Sequence, residues 1–345
     1  MKHQTFLKGT LLCLMVLALF SVPATAQQDP AARRSRGLFG DWQIAIDYDG
    51  RQMESILAFS RDQDRKLTAQ WISFRNVADL KDVTYEEGKL TFVQVRQNRD
   101  GQTTESKFTG TIKEQKLAGT ISSERGEYKV TGKPSPRIPR PVGSWEINYK
   151  VGERDVTSTL LIKTDKEGKL LGEWKSERGE HEISDMQYER GNLTFKRNTK
   201  IQDRQFDSTF DCTLQGDTLT AVITSDRGEI TAEGKRLGAP LIGTWNLELV
   251  SGEEENRRTS NQRLKVNPDL TALYGATPVP IVTLKDGKVT FKIVLQFGEQ
   301  KFEMDFNGKI EAEKLTGQMK TTRGIQKVTG KKEIRIPRRR TPATN

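Results

Sequence analysis

Histidine and cysteine are the scarcest reactive residues in this chain: His3, His181, Cys13 and Cys212 are all it has. Glu180 and Glu182 flank His181, but neighbours on a strand point to opposite faces, so the three form no dyad with one another. His181 therefore reads as an exposed turn or strand histidine. Cys212 takes a slot that is Gly110 and Gly308 in matching segments, which suits a small buried hydrophobe. A nucleophilic thiol needs a base or electropositive surroundings, and the pattern nominates neither. Two other sets recur. Trp71, Trp174 and Tyr274 hold equivalent places, in phase with Leu67 and Ala69, Leu170 and Gly172, and Leu270 and Ala272. An aromatic facing a cavity can stack on a ligand, a sugar ring included, or can simply fill a core. Arg125, Arg227 and Arg323 each precede a turn glycine; arginine there either recognises a carboxylate or phosphate or stays solvated.

No other motif carries chemistry. The chain lacks a phosphate-binding Walker loop, a dinucleotide fingerprint and a G-x-S-x-G elbow. With so few histidines and cysteines, zinc and copper clusters are excluded by count. We expect no catalytic residue, no metal and no cofactor. Carboxylate pairs for glycoside hydrolysis stay open, because acidic residues are many and their separation is not readable.

What positions these residues is a threefold repeat. Gly40-Asp-Trp42, Gly143-Ser-Trp145 and Gly243-Thr-Trp245 open segments of about a hundred residues, as repeat architectures require. Residues 107–133 and 305–331 align without a gap and share 13 of 27 positions, and residues 209–235 share 10 with the first. Leu90-Thr-Phe92, Leu193-Thr-Phe195 and Val289-Thr-Phe291 mark the middle of each copy.

Within a copy the hydrophobic period is two. Trp42, Ile44, Ile46 and Tyr48 alternate with Gln43, Ala45 and Asp47. Turn signals such as Asp49-Gly50, Glu87-Gly88 and Arg125-Gly126 bound short strands. The first copy reads as about eight strands, near 41–48, 52–60, 66–73, 78–85, 89–97, 103–112, 116–122 and 126–133. The fold class is all-β: three tandem small antiparallel up-and-down β-barrels of about eight strands each, with a flattened sandwich as the alternative. Closure removes exposed edges, and eight strands just fill an interior or enclose one small ligand. Gly110, Gly119 and Gly132 on one apolar face favour the close backbone approach of a barrel wall.

A Gly-X-Trp on the first strand, eight meandering strands and a basic residue closing the last strand resemble the calycin superfamily, which includes lipocalins and avidins. The resemblance implies that the first-strand Trp lies across one barrel end under a last-strand Arg or Lys. It pairs Trp42 with Lys133, Trp145 with Lys235 and Trp245 with Lys331, a cation over each indole face. The copies depart from that family in being shorter, in carrying lysine at these positions and in lacking its other loop motifs.

The ends complete the layout. Lys2 and Lys8, the apolar run Leu11 to Phe20 and Ala24-Thr25-Ala26 read as a cleaved signal peptide over residues 1–26. Its apolar run is short for a membrane span, and no later segment offers a transmembrane helix. We expect a bacterial protein, secreted or periplasmic. Loss of the two signal lysines lowers the formal net charge from +10 to +8. Cys212 is then left without an intrachain partner. The expected domains are a disordered segment 27–36, barrels at 37–133, 143–235 and 243–332, a Pro-rich linker 134–142, a linker 236–242 and a basic tail 333–345. The first linker favours polyproline II, and the tail, with Arg335 and Arg338 to Arg340, could contact an anionic cell-envelope surface. Nucleic acid is not an expected partner. The leading functional reading is a non-enzymatic binding protein, each barrel a site for a small apolar or glycan ligand. The alternatives are a structural or interaction protein with solid barrels, and a hydrolase of unknown type. An enclosed cavity of about 300 Å³ lined by Trp71 or Trp174 would favour binding.

Overall fold

A computed structural model describes residues 38–48, 50–97, 102–253, 256–297 and 300–333; the expected signal peptide at 1–26, the segment 27–36 and residues 334–345 of the basic tail lie outside them. The described chain is all-β, without an α-helix. Barrel 1 comprises β1 (Gly40–Tyr48), β2 (Arg51–Arg61), β3 (Leu67–Ile72), β4 (Val77–Asp79), β5 (Lys81–Glu86), β6 (Lys89–Gln97), β7 (Thr103–Lys113), β8 (Lys116–Ser123) and β9 (Gly126–Pro134). Barrel 2 comprises β10 (Gly143–Val151), β11 (Arg154–Thr164), β12 (Leu170–Lys175), β13 (Glu180–Glu189), β14 (Asn192–Ile201), β15 (Arg204–Gln215), β16 (Thr218–Ser225) and β17 (Gly228–Arg236). Barrel 3 comprises β18 (Gly243–Ser251), β19 (Arg258–Val266), β20 (Ala272–Tyr274), β21 (Thr277–Val279), β22 (Val282–Lys285), β23 (Lys288–Phe297), β24 (Gln300–Glu311), β25 (Lys314–Thr321) and β26 (Gly324–Lys332).

Each set of strands is one antiparallel meander whose first strand also pairs with its last: β1 with β9, β10 with β17, β18 with β26. The barrels are nearly closed. The fourth strand expected in the first copy is broken at Leu80 into β4 and β5, so barrels 1 and 3 have nine strands and barrel 2 has eight. The seam is crossed by single backbone bonds, Leu80 N–H to Ala69 O (2.9 Å) in barrel 1 and Val282 N–H to Leu270 O (2.7 Å) in barrel 3. In barrel 2 it is crossed by a side-chain bond between His181 Nε2 and Ser176 Oγ (2.7 Å).

The core of every barrel is built on the same pair. Phe92 and Phe108, Phe195 and Phe210, and Phe291 and Phe306 are cross-strand partners whose rings stack at 4.6, 4.5 and 4.7 Å. In barrels 1 and 3 the second ring lies flat on a glycine pair: a Cβ at Gly110 would sit 2.5 Å from Phe108, and one at Gly308 2.6 Å from Phe306. Cys212 and Ala221 replace these glycines in barrel 2, both buried. Trp42, Trp145 and Trp245, each at most 1 % exposed, close the opposite end.

The expected cations over those tryptophans are displaced by one residue. Trp145 pairs in register with Arg236 and Trp245 with Lys332, while Lys235 and Lys331 pair with Glu146 and Asn246 and face solvent. Side chains alternate faces along a strand, so a slip of one moves the side chain to the other wall. Arg236 lies 4.0 Å over the Trp145 ring and Lys332 5.6 Å over that of Trp245. Opposite Trp42 stands Pro134, and Lys133 is exposed. Arg236 is buried, donates to the carbonyls of Val142 and Arg140, and pairs with Asp217 at 2.9 Å. A desolvated contact of this kind contributes about 2 kcal/mol and ties the linker into residues 140–142 onto the barrel floor.

Barrel 1 also docks on barrel 3. Asp41 receives Arg263 at 3.0 Å from both terminal nitrogens and Lys265 at 2.6 Å. Gln262 lies on the interior face of β19 with Leu264, opposite Leu247, and donates from Nε2 to the carbonyls of Ser73 (3.1 Å) and Phe74 (2.8 Å) in the β3–β4 turn. The Phe74 ring packs against the barrel 3 core. The left-handed backbone at Gly275 (φ 59°) admits that turn; a Cβ there would meet Ser73 O at 2.4 Å.

Candidate functional site

The candidate ligand residues occupy three different settings. Trp71, Trp174 and Tyr274 are all interior and buried. Trp71 stands edge-on to Phe92 at 6.1 Å, so its neighbours are core rings. Burial pushes the Tyr274 hydroxyl well above the usual tyrosine range, as expected for a group in the barrel 3 core. Trp174 differs. Arg197 lies 4.6 Å from its ring and 4.8 Å from Phe210, a guanidinium against two aromatic faces inside the barrel. His181 approaches the same indole edge-on at 6.4 Å.

Arg197 reaches this place because β14 alternates inward at Leu193, Phe195, Arg197 and Thr199, with Arg197 paired to Ile183 and Ser208. The turns at 152–153, 176–179, 202–203 and 226–227 lie at the opposite end from Trp145 and form the mouth. Gly179 lies beside Ile201 there, and Val151 and Ile201 are exposed at the rim. Between rim and phenylalanine pair lies a polar layer. Tyr149 Oη is 3.4 Å from Ser158 Oγ, His181 Nδ1 is 3.0 Å from Thr199 Oγ1, and Ser208 donates to the Arg197 carbonyl at 3.3 Å.

This layer is electrostatically unbalanced. Burial works against the Arg197 charge, and the groups that support it are the Tyr149 hydroxyl and the aromatic faces. Arg197 Nε and Nη1 and Trp174 Nε1 are buried and have no hydrogen-bond partner. Burial first, and the Arg197 charge second, hold the His181 imidazole below its ordinary 6.5, so it is neutral at neutral pH. The expectation of a solvated strand histidine is corrected: His181 is half-buried, with both ring nitrogens bonded to hydroxyls. Cys212 lies below this layer, its thiol pushed up to about 12 by burial, which removes the thiolate that nucleophilic chemistry needs.

Arg125, Arg227 and Arg323 stand exposed in equivalent hairpin turns, where each backbone N–H donates to a hydroxyl two residues earlier, Ser123, Ser225 and Thr321. Among them Arg227 stacks on a ring, that of Phe206 at 4.5 Å, which continues the inward row of β15 (Ser208, Phe210, Cys212) at the mouth of barrel 2. The sequence reading missed Arg197. The signal was present: two residues past each repeated Thr-Phe the copies carry Gln94, Arg197 and Ile293 on the interior face. A cleft of 370 Å³ lies elsewhere, between the outer wall of barrel 1 at Ser60, Thr68 and Gln70 and Asn246 and Glu333 of the barrel 3 side. Among the described residues no group of three or more His, Cys, Asp or Glu is placed to hold a metal, and no helix is long and apolar enough to cross a membrane.

No family model matches the chain, and no curated protein matches it. Solved structures do align. A protein of Bacteroides fragilis named for the outer membrane aligns over 87% of this chain and 99% of its own, at 11% identity and a TM-score of 0.23. Transferrin Binding Protein B from Haemophilus parasuis aligns over 86% and 76%, at 11% identity and a TM-score of 0.20. A DUF3598-family protein of unknown function from Nostoc punctiforme aligns over 86% and 97%, at 10% identity and a TM-score of 0.21. The fold assignment rests on the strand ladders described above.

Proposed function

We propose that the chain is an exported, non-enzymatic binding protein whose ligand seat is the upper interior of barrel 2, with barrels 1 and 3 docked together as its support. One observation carries this reading: among the described residues of the three copies, barrel 2 alone sets a buried guanidinium and an indole N–H, both short of partners, against an aromatic wall. Buried donors without acceptors are costly, and proteins keep such costs at functional sites. Trp174 supplies a stacking face for a small ligand with an apolar or glycan body, and the exposed Val151 and Ile201 at the rim suit an apolar entry. Native mass spectrometry of the protein purified from its own host tests this. We expect a small molecule retained by the wild type and lost in Trp174→Ala. An unliganded wild type that also takes up no apolar probe overturns it.

A second reading, a structural or interaction role, is favoured by the barrel 3 mouth, which holds the Phe74 turn of the same chain. On that reading the basic tail contacts an anionic envelope surface. Deleting residues 335–345 then weakens binding to anionic vesicles at low salt, and unchanged binding removes the tail from consideration.

A further inference from the structure

Resting on the reading of barrel 2 as the seat, the next question is what the seat recognises. The frame does not need a cation there. Gln94 and Ile293 occupy the same register in the sister barrels, beside the same stacked phenylalanines, and both are buried. Barrel 2 nevertheless places a permanent positive charge at this point and surrounds it with neutral groups: Tyr149, Ser158, His181, Thr199 and Ser208, none of them acidic. Among the described residues no ion pair is formed by Arg197; its charge is supported by the Tyr149 hydroxyl and two aromatic faces, all of them neutral. A buried charge without a counterion is retained at a cost that pairing would remove.

We infer that barrel 2 binds a carboxylate carried on a planar or apolar body, the carboxylate oxygens accepting from Arg197 and the Trp174 indole N–H. Two features select this class over a bare inorganic oxyanion. The guanidinium lies against the Trp174 and Phe210 rings, and a carboxylate bonded in its plane extends that planar layer. The remaining walls are aromatic and the rim residues Val151 and Ile201 are apolar, which accommodates a hydrocarbon body and disfavours a fully hydrated ion. The unpaired donors are sealed from water, so binding requires Arg197 to shift along the Trp174 face as the acid enters.

The test titrates benzoate, its uncharged isostere benzamide and inorganic phosphate into the full-length mature protein, read by tryptophan fluorescence and calorimetry. Wild type, Arg197→Met, Arg197→Lys and Trp174→Phe are compared, with folding checked by circular dichroism. We expect benzoate to bind at least about tenfold more tightly than benzamide, the preference to vanish in Arg197→Met and to return in part in Arg197→Lys. Trp174→Phe should remove most of the fluorescence response. Equal binding of benzoate and benzamide by wild type, or an acid preference that survives Arg197→Met, overturns the carboxylate assignment and leaves the seat intact. Phosphate matching benzoate overturns the requirement for an apolar body. Failure of all three probes to bind overturns the assignment, and the retained-ligand measurement then decides separately whether the seat exists.

Discussion

Two residues beyond the inner phenylalanine of the stacked pair, barrel 2 places Arg197 and barrel 3 places Ile293. At the register where β10 of barrel 2 sets Tyr149, β18 of barrel 3 sets Leu249; where β11 sets Ser158, β19 sets Gln262. Below that height the two barrels are alike, with a stacked pair and a tryptophan floor under a cation. Above it they fill their open ends by different means. Barrel 2 uses a charged side chain of its own, leaving donors unpaired. Barrel 3 uses a turn from barrel 1, whose two carbonyls accept both bonds donated by Gln262 Nε2, while the Gln262 Oε1 accepts from the Arg263 N–H. On the proposed function, a satisfied mouth is a joint and an unsatisfied one a seat. Barrel 1 falls between them, with Gln94 buried and its Oε1 lacking a donor.

The comparison predicts that the two mouths cannot exchange residues. Ile293→Arg puts a cation into a barrel that carries Tyr274 in the place of Trp174 and Leu249 and Gln262 in the places of Tyr149 and Ser158, where Ile293 is 0% exposed. We expect a loss of about 5 kcal/mol by urea unfolding; a loss below about 1 kcal/mol would mean that the polar layer of barrel 2 is incidental.

The joint comes next. Asp41→Ala leaves Arg263 buried without its carboxylate and should cost about 3 kcal/mol, seen as an early loss of contact between barrels 1 and 3 in hydrogen exchange. The same clamp sets a direction with pH. Burial raises the Asp41 pKa, but Arg263 and Lys265 together outweigh it, so the folded value lies below the ordinary aspartate value of 3.8. A depressed carboxylate pKa stabilises fully above the unfolded value, and that contribution is lost as pH falls through the folded one. Thermal melts from pH 6 downward should therefore show a wild-type decline below about pH 4 that is smaller in Asp41→Ala. The smallest effect is expected from Gly275→Ala, which strains a positive φ and presses a methyl on Ser73 O. It should cost about 2 kcal/mol in a melt, while leaving the barrel 2 probes unaffected; altered probe binding would show that joint and seat are coupled.

How much of this was legible depends on whether a residue recurs. The meander and its near closure follow from the period-two rows, the recurring turns and the small residues on the interior rows, each with a steric reason, whereas the Trp floor was what the resemblance carried by the threefold Gly-X-Trp implied. The cation over the floor was placed one residue early. The repeated Gly-Lys drew attention to a position of shared identity, whereas the wall a side chain faces is set by pairing register, which puts Arg236 and not Lys235 beside Trp145. Arg197 was hidden for the opposite reason: it is the odd member of its triple, and reading for what recurs passes over it. His181 looked exposed because its partners Ser176 and Thr199 are not marked in the sequence. The joint was beyond reach, since Phe74 and Gln262 are 188 residues apart and belong to elements with no shared motif.

That separation has a consequence for the order in which the molecule is made. All nine strands of barrel 1 leave the ribosome before barrel 3 exists, and the last of them is Gly126–Pro134. At about 5–20 residues per second, Gln262 follows Phe74 by about 10–40 s. Throughout that interval the first barrel stands with an aromatic-tipped turn and a lone Asp41 turned toward a partner still unmade. A chain that stops after barrel 2 keeps them uncovered for good, and would be expected to find a substitute in the next available copy that has a third barrel to offer.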